Sequence, residues 1–234
     1  MQEFLATIVA IGPLSPTVKR YVLAPLDEPP QAHEPGQHVA LVLASGASER
    51  VRYYSIATAA RKDGRFELCI AANVDSGSGR ALTKLSTGDR IRVRGPGGTF
   101  ILREPVERDV LLIGSGTGIA PLRAMAQRLV QLETEHAVSL LHGARTADDL
   151  LFRAEWERLP TQLARFTYCP TLTQPAATWS ERRGRVQAHV EELLDGRTDL
   201  DVYLCGHPQM VTGVGQTLAR LGIGQDHIHC ERHG

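Results

Sequence analysis

Residues 109–125 read DVLLIGSGTGIAPLRAM. Val110–Ile113 is an apolar run long enough for one buried strand. Gly114, Gly116 and Gly118 then space a tight turn. Pro121 follows within what would be the first helical turn, where its missing N–H has no partner to lose. Leu122, Met125 and Leu129 fall on one helical face. The order strand, glycine turn, helix aims backbone N–H groups and the positive end of a helix dipole at one point, which suits a phosphate. Ile119 stands where a GxGxxG fingerprint would carry glycine. The turn therefore reads either as a phosphate cradle or as close strand–helix packing.

The chain has 234 residues, enough for a sizeable core and one or two domains. Its 26 Lys+Arg equal its 26 Asp+Glu, so overall charge points to no nucleic-acid partner. No apolar run approaches the roughly 18 residues of a membrane span, and no basic n-region marks a signal peptide. Cys69, Cys169, Cys205 and Cys230 are far apart with no CxxC pair. That spacing fits reduced thiols in a cytoplasmic protein rather than a metal or iron–sulfur site. His33, His136, His189, His227 and His229 show no shared ligand spacing and read as surface or core positions.

Residues 3–103 read as six short strands: 3–11, 17–23, 38–44, 51–57, 65–71 and 90–94, separated by Gly/Pro-rich turns. A short helix is expected at 80–85. Six such strands suggest a small antiparallel barrel. Arg52-Tyr53-Tyr54-Ser55 places Arg52 and Tyr54 on one face of a strand and Tyr53 and Ser55 on the other. A cation beside a phenol suits a phosphate and a planar ring; it equally describes an ordinary barrel strand. Asp75-Ser76-Gly77-Ser78-Gly79-Arg80 is a second candidate phosphate cradle, or a hairpin loop. Between Arg50 and Arg103, eleven Lys/Arg stand against four acids, a surplus suited to an acidic partner or to a solvated face.

From residue 108 apolar runs alternate with helical patterns. Strands are expected at 110–113, 138–142, 166–169, 202–205 and 227–230, and helices at 121–132, 149–159, 186–194 and 208–221. Such alternation builds a parallel sheet covered by helices on both faces, with ligands at the carboxyl ends of its strands. The glycine turn, His142-Gly143-Ala144-Arg145 and Cys205-Gly206-His207-Pro208 all fall at that edge. Arg145 occupies the region where an NAD fold usually carries a ribose-binding acid. Cys205 precedes a helix N-terminus, a position that tends to lower a thiol pKa; a small apolar residue at a strand end is the other reading.

Taken together, these motifs resemble the ferredoxin–NADP reductase superfamily over nearly the whole chain. Arg52-x-Tyr54-Ser55 resembles its RxYS flavin motif, and Gly95-Pro96-Gly97-Gly98-Thr99-Phe100 the segment closing the flavin barrel. Gly114-x-Gly116-Thr117-Gly118-Ile119-Ala120-Pro121 resembles its nicotinamide-nucleotide loop, and Cys205-Gly206-His207-Pro208-Gln209-Met210 its CGxPxM signature. The resemblance implies a β + α/β fold: an N-terminal six-stranded antiparallel Greek-key barrel over 1–104, then a five-stranded parallel sheet flanked by helices over 105–234. It implies FAD, with FMN the second choice, and NADPH or NADH as electron donor. The flavin would take Arg52, Tyr53, Tyr54, Ser55, Cys69, Ile70, Ala71, Ser78, Gly79 and Arg80. The nicotinamide nucleotide would take Gly116, Thr117, Gly118, Arg145, Arg185, Cys205 and Gly206. Ser55, Cys205 and Glu231 would act in hydride transfer, and His38 is a further candidate at the flavin. Thr173-Gln174 stands where NADPH-specific relatives carry Ser-Arg, and His233 where the tail usually carries an aromatic residue.

The function implied is a monomeric reductase passing electrons to a separate small acidic acceptor, ferredoxin or flavodoxin. A reductase subunit of a multicomponent oxygenase or dehydrogenase is the alternative, and a non-catalytic nucleotide-sensing protein a further one.

Overall fold

The computed structural model describes residues 2–26, 32–45, 48–71, 82 and 84–232. The turn at 75–80 lies outside these residues, as does the helix expected at 80–85 except for Leu82, Lys84 and Leu85. The chain forms two compact units, residues 1–102 with 123–128, and residues 103–122 with 129–234.

The first unit is built from β1 (Glu3–Pro13), β2 (Val18–Pro25), β3 (His38–Ser45), β4 (Ser48–Ser55), β5 (Phe66–Ala71) and β6 (Arg90–Gly97). They form one sheet in the order β4-β3-β6-β1-β2-β5, with every adjacent pair antiparallel. An antiparallel bridge between Ile56 and Leu68 joins the two edge strands and closes the sheet into a barrel. Alternation chooses the inside: Phe4, Ala6 and Ile8 of β1, Val39, Leu41 and Leu43 of β3, and Ile91 and Val93 of β6 share one core. Burying each of the larger aliphatic side chains contributes about 1.5–3 kcal/mol.

Outside the barrel, Arg92 pairs with Glu3 and Glu49, and Arg94 with Glu3 at 2.6 Å. Asp63 similarly pairs with Arg61 and Arg65. Part of the basic surplus counted between Arg50 and Arg103 is therefore neutralised by Glu3 and Glu49, which lie outside that segment and reach it through strand pairing.

This unit also takes in residues 123–128 of a helix, α1 (Ile119–Gln131). Arg123 is buried there, donating from Nη1 to the Ala57 carbonyl at 2.7 Å and to the Glu67 carboxylate at 3.1 Å. A buried guanidinium is tolerated because both acceptors are at hand. Gln127 Oε1 accepts the Ala59 N–H at 3.0 Å.

The second unit holds β7 (Asp109–Ser115), β8 (Val138–Ala144), β9 (Phe166–Leu172), β10 (Arg182–Arg183), β11 (Leu200–Gly206) and β12 (Ile228–Arg232). All are parallel, in the order β10-β9-β8-β7-β11-β12. The sheet has six strands where five were expected. The extra one, β10, is two arginines at an edge, too short to show any periodicity.

Besides α1, the helices are α2 (Arg153–Arg158), α3 (Val190–Leu194) and α4 (Pro208–Arg220). The helix expected at 149–159 is shorter because Phe152 adopts φ +60° and separates it from a 3-10 turn at Ala147–Asp149. The one expected at 186–194 begins as a 3-10 turn, Val186–His189. One face of the sheet packs Leu111, Ile113, Leu141 and Leu204 against Val190 and Leu194 of α3 and Val211, Val214 and Leu218 of α4. Toward the other face Trp156 of α2 stacks on Phe166, centroids 6.4 Å apart.

His142, near the end of β8, is fully buried. Its Nδ1 meets the Tyr168 hydroxyl at 3.1 Å, and its Nε2 has no hydrogen-bond partner among the described residues. Burial pushes its pKa from 6.5 down to about 3. Below pH 6.5 the unfolded chain binds a proton that the folded chain refuses, so this group removes stability as pH falls from 6.5 toward 3. The loss reaches about 2 kcal/mol by pH 5. Urea unfolding at pH 7 and pH 5 should show a drop of that size that shrinks in His142→Phe; equal drops in the two proteins would refute the assignment.

Candidate functional site

In the first unit β4 delivers the cluster. Register pairs Ser55 with His38, Tyr54 with Val39 and Arg52 with Leu41. Arg52 is exposed, its Nη1 donating to the Val51 carbonyl at 3.1 Å. Tyr54, on the same face, is half-buried against the barrel core, and burial pushes its hydroxyl up to about 12, so it stays a neutral phenol. On the opposite face Ser55 is buried, while Tyr53 is 60% exposed and meets the His38 ring edge-on at 5.3 Å. His38 in turn lies against Gly98, where a Cβ would come within 2.8 Å of Nδ1. The Pro35–His38 and Gly95–Phe100 segments are thus brought together. Gly36, at φ +107°, sits where a Cβ would strike the Phe100 carbonyl at 2.1 Å.

On β5, Cys69 and Ile70 are buried and Ala71 is exposed. Ser78, Gly79 and Arg80 lie outside the described residues. An exposed cation, a neutral phenol, a second aromatic ring open to solvent and a strand end with exposed backbone form a donor set that fits a dinucleotide carrying a planar ring.

In the second unit the glycine turn forms at the carboxyl end of β7. Gly116–Gly118 make a 3-10 turn, and α1 starts at Ile119. Gly116 adopts φ +56°, with open space where a Cβ would stand. Gly118 does the opposite job: a Cβ there would lie 2.3 Å from the Cys205 carbonyl oxygen and 2.7 Å from Gly206 Cα. Register pairs Gly114 with Cys205, so the two turns lie side by side. Half-buried Thr117 stands between the glycines.

Ser115 was not singled out from sequence, yet its Oγ is within 2.6 Å of where a Gly206 Cβ would be. His207 was also passed over as an individual residue; it caps α4 by accepting the Gln209 N–H at 3.3 Å. A polar residue directly before a proline at a helix start is the signal that marks it.

Cys205 is fully buried, with Sγ 4.0 Å from Glu231 Oε2, its register partner on β12. Burial first, and the Glu231 charge second, push the thiol well above its ordinary value. Of the two readings open in the sequence, this favours the packed residue at a strand end: loss of water outweighs the dipole, and the group is a protonated S–H facing a carboxylate.

Further along this edge, Thr173 and Gln174 donate backbone N–H groups to the carbonyls of Ala144 and Arg145. Of the nearby arginines, Arg182 pairs with Glu192 at 2.7 Å and Arg183 donates to the Trp179 carbonyl at 2.6 Å. Arg145 and Arg185 are exposed and make no ion pair among the described residues. Exposed cations near a glycine turn at a helix N-terminus suit a phosphorylated nucleotide.

A family profile for an oxidoreductase FAD-binding domain matches residues 6–101, and one for an oxidoreductase NAD-binding domain matches residues 112–216. The chain is 36% identical to ferredoxin–NADP reductase B of Sorangium cellulosum (strain So ce56), covering 99% of this chain and 98% of that one. It is 31% identical to the toluate 1,2-dioxygenase electron transfer component of Pseudomonas putida, over 85% of this chain and 58% of the relative. The crystal structure of the Amycolatopsis cytochrome P450 reductase GcoB superposes with a TM-score of 0.88 at 28% identity, covering 99% of this chain and 69% of that one.

The contact at Gly118 yields a direct test. Gly118→Ala should raise the KM for NAD(P)H at least tenfold, because the turn must move off Cys205, while flavin content stays unchanged. Gly215→Ala in α4, with nothing within 4 Å of its new Cβ, serves as the neutral control. An unchanged KM in Gly118→Ala would refute this role for the turn.

Proposed function

The chain belongs to the ferredoxin–NADP reductase superfamily, and from that premise we propose that it oxidises NAD(P)H and hands the electrons singly to a separate small acidic protein, a ferredoxin or flavodoxin. It is an FAD-dependent NAD(P)H oxidoreductase. The observation that carries the fuller reading is the Gly118 turn closing directly onto Cys205-Gly206, with the Glu231 carboxylate beside the thiol. When bound, FAD supplies the capacity to take a two-electron hydride and release electrons one at a time.

The chain's own groups bind and orient. Arg52 would neutralise the flavin diphosphate, and the Tyr54 ring would pack against the flavin. Ser55 would offer it a hydroxyl, and the Cys69–Ala71 backbone would line its ring. Thr117 and the N–H groups of Gly116 and Gly118 hold the nicotinamide nucleotide, while Cys205 and Gly206 form the wall for its ring. Keeping the Cys205 proton on sulfur gives that wall a neutral, polarisable surface, and Glu231 accepts from the S–H. Alignment by such groups lowers the barrier by proximity.

Arg145 and Arg185 suit a 2′-phosphate, favouring NADPH, although Gln174 stands where NADPH-specific relatives carry arginine. A reductase component of an oxygenase is the second reading, supported by similarity to the toluate dioxygenase component. A stable oxygenase partner on purification, with little electron transfer to ferredoxin, would favour it. No helix among the described residues is long and apolar enough to cross a membrane.

Two variants test the binding assignments. Arg52→Ala should lower flavin occupancy of the purified protein at least tenfold at limiting FAD, read from its visible spectrum; full occupancy would refute the site. Arg145→Ala should reduce the ratio of kcat/KM for NADPH over NADH about tenfold, the worth of one charge-assisted contact, with the NADH value little changed. An unaltered ratio would remove Arg145 from nucleotide selection.

A further inference from the structure

Strand β12 has five residues and, among the described residues, a single neighbour, β11. Parallel pairing sets Tyr203 opposite His229 and Cys205 opposite Glu231. One step before the first paired residues, Asp201 Oδ1 lies 2.9 Å from His227 Nδ1. Residues two apart on a strand share a face, so these are three successive rungs on one side of the β11–β12 ladder.

Each of the first two rungs is tied down. His227 Nδ1 donates to the Asp201 carboxylate at 2.9 Å, and beside this rung the Arg108 guanidinium pairs with Asp199 at 2.9 Å. Tyr203 and His229 stack with centroids 4.6 Å apart and planes 28° apart, and the Tyr203 hydroxyl accepts the Arg103 N–H at 3.0 Å. His229 Nε2 is buried 3.9 Å from the same Asp201 oxygen.

Backbone bonding alone specifies the register of a short edge strand weakly, because a slipped strand can recover most of its hydrogen bonds. A one-residue slip would turn Glu231 to the opposite face and bring Cys230 or Arg232 beside Cys205. We propose that Asp201 and His227, assisted by the Tyr203–His229 stack, are positioning residues. They clamp β12 in register and thereby hold the Glu231 carboxylate against the Cys205 thiol. The consequence for turnover rests on the reading that Glu231 serves hydride transfer; the clamp itself does not.

The experiment uses the FAD-loaded holoenzyme and two readouts. Hydrogen–deuterium exchange of the 228–232 amides should be at least tenfold faster in His227→Ala, with β7 and β8 unchanged. His227→Asn, which keeps a donor near the Nδ1 position, should restore slow exchange. Single-turnover flavin reduction by NADPH should slow about tenfold in His227→Ala with KM within twofold. The double variant with Glu231→Gln should be no slower than Glu231→Gln alone.

Unchanged exchange in His227→Ala overturns the clamp. So does normal reduction in His227→Ala when Glu231→Gln is slow. Faster exchange with normal reduction in both His227→Ala and Glu231→Gln leaves the clamp standing and removes Glu231 from the reaction. Should His227→Ala fail to fold, Asp201→Leu carries the same tests, since it keeps much of the volume and removes the acceptor that His227 donates to.

Discussion

A backbone-to-backbone approach organises the second unit. The turn after β7 lies so close to the end of β11 that the only side chain tolerated at position 118 is a hydrogen. The approach fixes where α1 begins, which fixes where its unbonded N–H groups point. It also fixes the back of the turn against Cys205 and Gly206, whose own small size accommodates Ser115 and Met210. Glycine here supplies proximity more than flexibility, and it does so where two loops and a helix start converge. Because Cys205 is held on one side by this contact and Glu231 sits opposite in register, the thiol, the carboxylate and the helix terminus share a common frame.

The two units distribute charge differently. On the barrel Arg92 and Arg94 of β6 are engaged by Glu3 of β1 and Glu49 of β4, so cross-strand pairing takes up part of the surplus that the sequence count suggests. At the carboxyl edge of the parallel sheet, Arg182 and Arg183 hold the chain to itself, while Arg145 and Arg185 are exposed. Counting charges along a segment does not reveal partners supplied by other strands, whereas Arg145, at a strand end, is exposed.

Both sheets were legible because their burial patterns differ in kind. Short runs bounded by Gly/Pro-rich turns marked the barrel strands, and unbroken apolar runs such as Val110–Ile113 marked strands covered on both faces. Local cues gave out at β10, where two arginines carry no period, and at Phe152, whose left-handed backbone has no signature in a bulky aromatic residue. The state of Cys205 stayed open between two readings because dipole position is visible in sequence and depth of burial is not. The rungs formed by Asp201, His227 and His229 were invisible for a related reason: partners 26 residues apart meet only once parallel register is known.

The strand order also has a temporal side. The central strand β7 comes first in its unit, and β8, β9 and β10 add outward on one side as the chain lengthens; β11 and β12 then complete the other. The β7–β11 ladder joins Asp109 to Leu200, so a growing chain carries its glycine turn long before the surface that turn must close on. In the barrel, β1 waits likewise for β6, with Glu3 pairing Arg94. Each half of the molecule is thus sealed by its late-synthesised strands, and a ribosome-bound chain ending before residue 200 would display Leu111 and Ile113 with one wall of their core still unmade.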